Sequence, residues 1–471
     1  MASFDLLVLG GGTAAVAAVT QANEMGATVA LINDGLPLGG TCVNVGCVPS
    51  KALLHAAEVV HLARHHGVPG VDIDVRSVDF AQVVQGELDL VTALRHQKYE
   101  AVLPELANVT VVEGMARFVG PHTVAVNGRT HDAEMIIIAT GSTATVPPIR
   151  GLEDVDYLTH VEALQLKELP NDMVIVGGGP LGVEFAQIYA RFGTQVTVLQ
   201  RAGSILPAAE RELTQRLTEL LRAEGITIET GVQVEAVRPA ERNARRKAIA
   251  YQTAGGQDVQ VEAEVLLLAA GKTPNTASLD LRAVGVQVDA RQAVVVDEQF
   301  RTSQPHIFAI GDVNSLPVRE NPTAGREGTL AADSALAGAA HRIDYDHAPT
   351  TVFTDPQLAS VGVTEAEQIR RTGTSDCRTL SFGNVPKAVI TRRTEGLINM
   401  VTDPATNRIV GVHILAPNAS ELIAEAMLLV RDQHTVDNVI TTAPMYPTLS
   451  EAIKIVALSF TRDVTKLCCS F

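Results

Sequence analysis

The residues of this sequence best suited to chemistry are four cysteines: Cys42 and Cys47, separated by four residues, and the adjacent pair Cys468-Cys469 near the chain end. The first spacing is neither the C-x2-C of zinc ribbons nor that of thioredoxin-like motifs. Pro49 suits the first turn of a helix, and Ala52 to Arg64 continues as a good helix. Cys47 is therefore expected near a helix N-terminus, where the positive end of the dipole favours thiolate, with Lys51 one turn on adding a positive charge. Such a dithiol, beside a two-electron cofactor, can pass an electron pair to a substrate. At the other end Ile453, Val456, Ala457, Phe460, Val464 and Leu467 recur at helical spacing, which predicts a docked helix ending about Lys466 and the cysteine pair on a short tail. Adjacent residues have Cα atoms ~3.8 Å apart, below the usual disulfide range of roughly 4.4–6.8 Å. A free dithiol is the expected state, and thiolates suit a soft cation that takes two sulfurs in line. Cys377, alone beside Arg378, reads as structural.

Elements that could position these thiols are legible on either side. Phe4 to Leu9 is an apolar strand running into Gly10-Gly11-Gly12-Thr13-Ala14-Ala15, a small-residue helix and a second strand, Ala27 to Ile32. This βαβ unit carries the G-x-G-x-x-A form of the dinucleotide fingerprint. Its glycines allow a tight turn and close approach of backbone to pyrophosphate, and a small third residue lets helix pack on strand. A second fingerprint follows Met173 to Val176, as Gly177-Gly178-Gly179-Pro180-Leu181-Gly182, and leads to the strand Gln195 to Leu199. Two fingerprints predict two dinucleotide sites in two Rossmann-like α/β domains. Met135 to Ser142, which includes Thr140 and Gly141, and Val265 to Lys272, which includes Gly271, read as chain crossings between them. Ile307 to Ile310 is a buried strand ending in Gly311-Asp312, and a carboxylate at the carboxyl end of a parallel strand is where such sheets bind ligands. Further on, alternating strands such as Leu397 to Val401 and Ile409 to Leu415 precede helical runs from Ser420 and Ser450, which predicts a separate α+β domain.

Size and charge exclude other classes. With 471 residues, 46% of them hydrophobic, three or so compact units are expected. The formal charge is −16, and no basic block exceeds Arg245-Arg246-Lys247. Nucleic-acid binding needs a concentrated positive face and is not expected. Apolar runs are strand-sized, short of the ~20 residues of a membrane helix, and the N-terminus lacks a basic n-region. Five cysteines without a signal segment do not form a secreted disulfide framework, so redox or metal chemistry in a reducing cytoplasm is expected.

Residues 39–51, Gly-Gly-Thr-Cys-Val-Asn-Val-Gly-Cys-Val-Pro-Ser-Lys, resemble the active-site signature of the pyridine nucleotide-disulfide oxidoreductases. The resemblance spans essentially the whole chain, through both fingerprints, Gly311-Asp312 and Phe353-Thr354-Asp355-Pro356. It implies a split FAD-binding domain (1–147 and 266–342), an inserted NADPH-binding domain (148–265) and a C-terminal dimerisation domain (343–471) of a homodimer whose active sites are shared. It further implies that Cys47 is the thiol nearest the flavin, Cys42 the outer exchanging thiol, and Lys51–Glu184 an ion pair by the flavin ring. Gly40, Thr41, Ala116, Thr140, Gly141, Ser142, Gly311 and Asp312 join the first fingerprint around FAD. Gly271 joins the cofactor contacts at the second crossing.

Departures from the family pattern sharpen the expectation. The acid usual at the end of the second strand, for the FAD ribose, is Asn33, with Asp34 next, and either could serve. At the corresponding place of the second unit stand Gln200-Arg201, which removes repulsion from a 2′-phosphate and supplies a cation for it, favouring NADPH. Pro207 replaces a second basic clamp, and Pro180 a tyrosine found over the flavin in some relatives. Disulfide reductases of the family carry His-Pro-Thr…Glu as a proton shuttle across the dimer; here Tyr446-Pro447-Thr448 precedes Glu451. Tyrosine, with a pKa near ~10, is a poor shuttle at neutral pH. The mercury-reducing branch of the family resembles this sequence in having tyrosine there. His413 and His434 do not fit the motif and read as structural.

The expectation is therefore a relay for Hg(II). Cys468 and Cys469 of one subunit capture the ion from small thiols or a separate carrier, since the sequence starts at the FAD unit without a metallochaperone module. They pass it to Cys42 and Cys47 of the other, Tyr446 lines the route and Glu451 positions that wall. The rivals are a dihydrolipoamide dehydrogenase or glutathione-type reductase, a flavoprotein oxidase or quinone reductase with incidental thiols, and a thiol metal-sequestering protein.

Overall fold

A computed structural model describes residues 2–466. The strand Ala2–Leu9 lies in the middle of a seven-stranded sheet, parallel to Val29–Asn33 on one side and Arg129–Ile138 on the other. Val109–Glu113 flanks Val29–Asn33, and Ile307–Ala309 adds to Arg129–Ile138. Leu6, Leu7, Val8 and Leu9 are fully buried because helices or loops cover both faces, so the run shows no polar alternation. The helix Thr13–Glu24 packs along Asn321–Ala337 so closely that a Cβ on Gly328 would stand 2.2 Å from the Ala14 carbonyl oxygen. Residues after 300 thus return to complete the first unit.

The second fingerprint is held by a four-stranded parallel sheet in the order Thr227–Thr230, Gln195–Gln200, Asp172–Val176, Val265–Leu268, beside a separate three-stranded antiparallel sheet of Gln233–Ala240, Asn243–Gln252 and Asp258–Ala263. The crossings form a small antiparallel ribbon, Ser142–Ala144 against Lys272–Pro274. One boundary needs correction. The division at 265/266 cuts Val265–Leu268, whose residues pair with Met173–Val176 in the second sheet. An apolar run before a glycine cannot by itself say which sheet it joins, and the chain returns only around Gly271.

The C-terminal unit is a five-stranded antiparallel sheet ordered Thr350–Val352, Gln357–Gly362, Arg408–Ala416, Leu397–Asp403, Asp376–Ser381. Helices Ala419–Arg431 and Glu451–Leu458 pack on it through a core that includes Val361, Ile398, Met400, Ile414, Ile423 and Val456. The last helix is shorter than its apolar spacing predicts, ending at Leu458, with a short 3-10 turn at Val464–Lys466. The hydroxyls of Ser459 and Thr461 donate to the carbonyls of Val456 and Leu458, at 2.6 and 3.3 Å, an alternative to continuing the helix. Among the described residues no helix is long and apolar enough to cross a membrane. The architecture is thus α/β with a C-terminal α+β unit.

Candidate active site

The helix Cys47–His65 begins at the second cysteine, with Gly46 as its N-cap, and Cys42 sits on the short helix Gly40–Val45 just before it. Gly46 is required there, since a Cβ would stand 2.8 Å from the Thr41 carbonyl oxygen. Cys47 is exposed, Cys42 half-buried, and both are free thiols. The Cys42 thiol hydrogen-bonds the Cys47 sulfur, which draws the Cys47 pKa down to about 7 against the opposing cost of burial, with the Lys51 charge assisting. The same bond, and then burial, pushes Cys42 well above the ordinary thiol range. One sulfur is thereby a thiolate near neutral pH and the other its proton-bearing partner. With the pair reduced, alkylation at Cys47 should accelerate as pH rises through about 7 and level off above it. Iodoacetamide labelling read by peptide mass checks this; a midpoint at the ordinary thiol value, ~8.5, would refute the assignment of Cys47 as the thiolate.

Behind the thiols Lys51 Nζ lies 2.8 Å from a carboxylate oxygen of Glu184, from the helix Pro180–Phe192, and 4.6 Å from the centre of the Phe353 ring. Glu184 also accepts the Phe353 N–H at 2.8 Å, and its side chain is 6% exposed. The helix carrying it is tied to the following segment by Arg191, which pairs with Glu224 at 2.8 Å and Asp355 at 3.1 Å. First unit, second unit and C-terminal segment therefore converge on one ion pair.

The first glycine turn has the shape a dinucleotide pyrophosphate needs. A Cβ on Gly10, at φ +124°, would stand 2.2 Å from the Ala139 carbonyl oxygen, and one on Gly40 would stand 2.6 Å from the Gly12 Cα. Gly39 N–H donates to Gly11 O at 2.8 Å, so the loop before Cys42 closes over the turn. The helix Thr13–Glu24 starts at the turn with no side-chain cap, leaving its first N–H groups to a phosphate; Ala14 and Ala15 are buried on its inner face, and Thr13 Oγ1 donates to Asn321 at 2.5 Å. Around this turn Thr140 Oγ1 donates to Asn275 O at 2.7 Å, Ser142 Oγ to Asp312 at 2.7 Å, and Gly311, at φ +68°, donates its N–H to Glu327 at 2.6 Å. Asp312 follows the strand Ile307–Ala309. Asn33 is buried at the end of its strand while Asp34 is exposed, and Ala116 is buried among Leu9, Ile32 and Phe118.

The second glycine turn borders a cavity of about 850 Å³ lined by Gly177, Gly179, Pro180, Leu181, Gln200, Arg201, Gly271 and Lys272. A Cβ on Gly182 would stand 1.9 Å from the Gly177 carbonyl oxygen, so helix and turn pack backbone to backbone. Gln200 is spent locally: its Oε1 accepts the Gly178 N–H at 3.0 Å and its Nε2 donates to Ser204 O at 3.2 Å. Arg201 is exposed on the cavity wall. A nicotinamide nucleotide is the group this cavity suits in shape and charge.

Tyr446 and Glu451 belong to the C-terminal unit. Glu451 is buried and accepts the Thr448 N–H at 3.0 Å, which holds the loop on which Tyr446 stands 65% exposed. His413 is buried, with Nε2 3.1 Å from Val363 O, and Cys377 is half-buried with its sulfur 2.9 Å from Asn399 Nδ2. Cys468 and Cys469 lie outside the described residues. Among those described, no group of three or more His, Cys, Asp or Glu is arranged to hold a metal ion.

Sequence reasoning missed several neighbours of the site. Phe353 stands out in the sequence only as part of a motif. Glu320, before the helix Asn321–Ala337, is pushed to about 7 by burial and then by the negative charge of Cys47. Lys272 Nζ lies 2.9 Å from His160 Nε2 on the cavity wall, and burial draws Lys272 down to about 8. Glu113 meets Asn33. None has a spacing signal, because each is brought in from another element.

Comparison with known proteins gives the family. The family Pyridine nucleotide-disulphide oxidoreductase matches residues 4–332, and its dimerisation domain matches residues 348–457. The mercuric reductase of Streptomyces lividans is 40% identical over 472 residues, covering 99% of this chain and 98% of that protein. That of Bacillus cereus is 36% identical over 466 residues, covering 99% of this chain and 73% of the other. Among solved structures, the Cu(II) complex of the HOCl-induced flavoprotein disulfide reductase RclA of Escherichia coli superposes with a TM-score of 0.86 at 29% identity, over 98% of this chain and 100% of that one. The chain belongs to the pyridine nucleotide-disulphide oxidoreductase family and, within it, to the mercuric reductases.

Proposed function

We propose that this flavoprotein reduces thiol-bound Hg(II) to elemental mercury at the expense of NADPH, in mercury detoxification in the cytoplasm. The observation that carries the reading is an open two-sulfur site, Cys42 and Cys47, with one sulfur held near neutral pH as thiolate and, among the described residues, no third metal-binding side chain assembled around it. Two sulfurs in line satisfy a soft divalent cation. For each Hg(SR)2 consumed, one NADPH and one proton yield Hg(0), two thiols and NADP+.

In this reading residues 1–147 and the stretch from the second crossing to 342 hold FAD, and the inserted unit holds NADPH, with Arg201 on the 2′-phosphate. FAD, when bound, accepts hydride and returns two electrons. The chain's own residues do the rest. Cys42, once it gives up its proton, and the Cys47 thiolate displace in turn the two thiolates of Cys468 and Cys469 that bring in the Hg(II), and the ion is never free. Lys51, pinned by Glu184, keeps a positive charge where electrons must pass. Tyr446, exposed and held by the Glu451-anchored loop, is offered to a partner subunit as the wall of the delivery path. Cys468 and Cys469 collect the ion from small thiols or a carrier.

The test is Hg(II)-dependent NADPH oxidation with excess thiol, in the wild type and in Cys468→Ala/Cys469→Ala. Wild-type turnover with loss confined to the variant at low Hg(II) is the expected result. Brisk turnover of lipoamide or glutathione disulfide, without response to Hg(II), would overturn the reading.

A further inference from the structure

If the first unit holds FAD, as proposed above, the group that receives the adenosine ribose hydroxyls is still unassigned, and its assignment depends on that cofactor being there. The strand Val29–Asn33 ends in an amide where a ribose would be met by an acid. Asn33 is 4% exposed, and its Nδ2 is committed twice: to Leu36 O at 3.1 Å and to Glu113 Oε2 at 3.2 Å. Its Oδ1 abuts the first glycine turn, since a Cβ on Gly11 would stand 2.1 Å from it. Asn33 therefore has no donor left and an acceptor packed on backbone. Asp34 is exposed at the start of the turn through Gly35.

Glu113 ends the neighbouring strand in register with Asn33, and the two strand ends are tied by Gly114 N–H donating to Asn33 O at 2.8 Å. Asn127 Nδ2 donates to the Glu113 carbonyl at 2.8 Å and fixes the adjoining turn. Asn33 thus holds one carboxylate oxygen by its amide, and no hydrogen bond among the described residues engages the other, Oε1. Glu113 is exposed at the carboxyl end of the parallel sheet, the edge where such sheets bind ligands, with the strand Val29–Asn33 between it and the strand that leads into the glycine turn.

The geometry points to Glu113 as the carboxylate that accepts the adenosine ribose hydroxyls of FAD, with Asn33 as the positioning residue that orients it. A vicinal diol offers two donors, which a carboxylate can take with charge-assisted bonds and an amide cannot. The acid has moved one strand across the sheet, and the buried amide bridges the gap.

The experiment is flavin binding by the full-length chain stripped of its flavin, followed by fluorescence quenching with FAD and with an analogue whose adenosine lacks the 2′-hydroxyl. Glu113→Gln should weaken FAD roughly 10–100-fold, and the preference of the wild type for FAD over the analogue should collapse. Asp34→Asn should leave both unchanged. Release of flavin on warming the holoenzyme should follow the same order. Wild-type FAD affinity in Glu113→Gln, or equal losses for FAD and analogue, overturns this assignment alone. A wild-type chain that takes up no flavin overturns the functional reading together with it.

Discussion

Cys42→Ser should lower Hg(II)-dependent NADPH oxidation by about a thousandfold or more, while NADPH still bleaches the bound flavin at the wild-type rate. The two outcomes separate because the nucleotide cavity and the dithiol are built from different elements. In the proposed mechanism hydride enters through the cavity lined by Gly177 and Arg201, whose lining does not include Cys42. Mercury must instead be handed from two external thiolates to two internal ones. With a serine, Cys47 can take one position on the ion, but nothing of comparable softness takes the second. The change also removes the hydrogen bond that contributes most to the low Cys47 pKa, unless the serine hydroxyl replaces it. Stopped-flow bleaching of the flavin and steady-state turnover read the two halves independently. Undiminished turnover in Cys42→Ser would make the thiols incidental and favour a flavoprotein oxidase or quinone reductase.

Gly182→Ala should act on the other half. Its Cβ would fall 1.9 Å from the Gly177 carbonyl oxygen, and neither is a flexible side chain that could move aside. The helix Pro180–Phe192 must shift outward, and with it the turn that shapes the nucleotide cavity and Glu184, the partner of Lys51. A displacement of about 1 Å costs on the order of a hundredfold in a reaction that depends on approach geometry. The expected result is a chain that keeps its flavin, because the first glycine turn is untouched, but is reduced by NADPH ~100-fold more slowly. Reduction by dithionite should be unaffected. A variant reduced by NADPH at the wild-type rate would show that helix and turn can separate without cost.

Much of the site was readable because its parts are local in the chain. A glycine turn between strand and helix, a cysteine at a helix start and a lysine one turn later are set by neighbours within a few residues, and short-range sterics dictate them. The same logic failed at the chain end, where the spacing from Ile453 to Leu467 predicts one helix. The hydroxyls of Ser459 and Thr461 offered the backbone other partners, and the helix stops at Leu458. It failed also at Val265–Leu268, an apolar strand whose sheet is chosen by the neighbour with which it pairs.

From the residues alone came the two nucleotide folds, the dithiol between them and the chemistry that two sulfurs allow, because each is written in contiguous segments whose conformations are locally constrained. Tertiary structure decided what crosses between segments: that Phe353 and Glu184 close around Lys51, whose charge helps lower the Cys47 pKa, and that Glu113 stands beside Asn33. Most of those pairings join residues tens to hundreds of positions apart, and only packing of the sheets and helices brings their atoms within bonding distance.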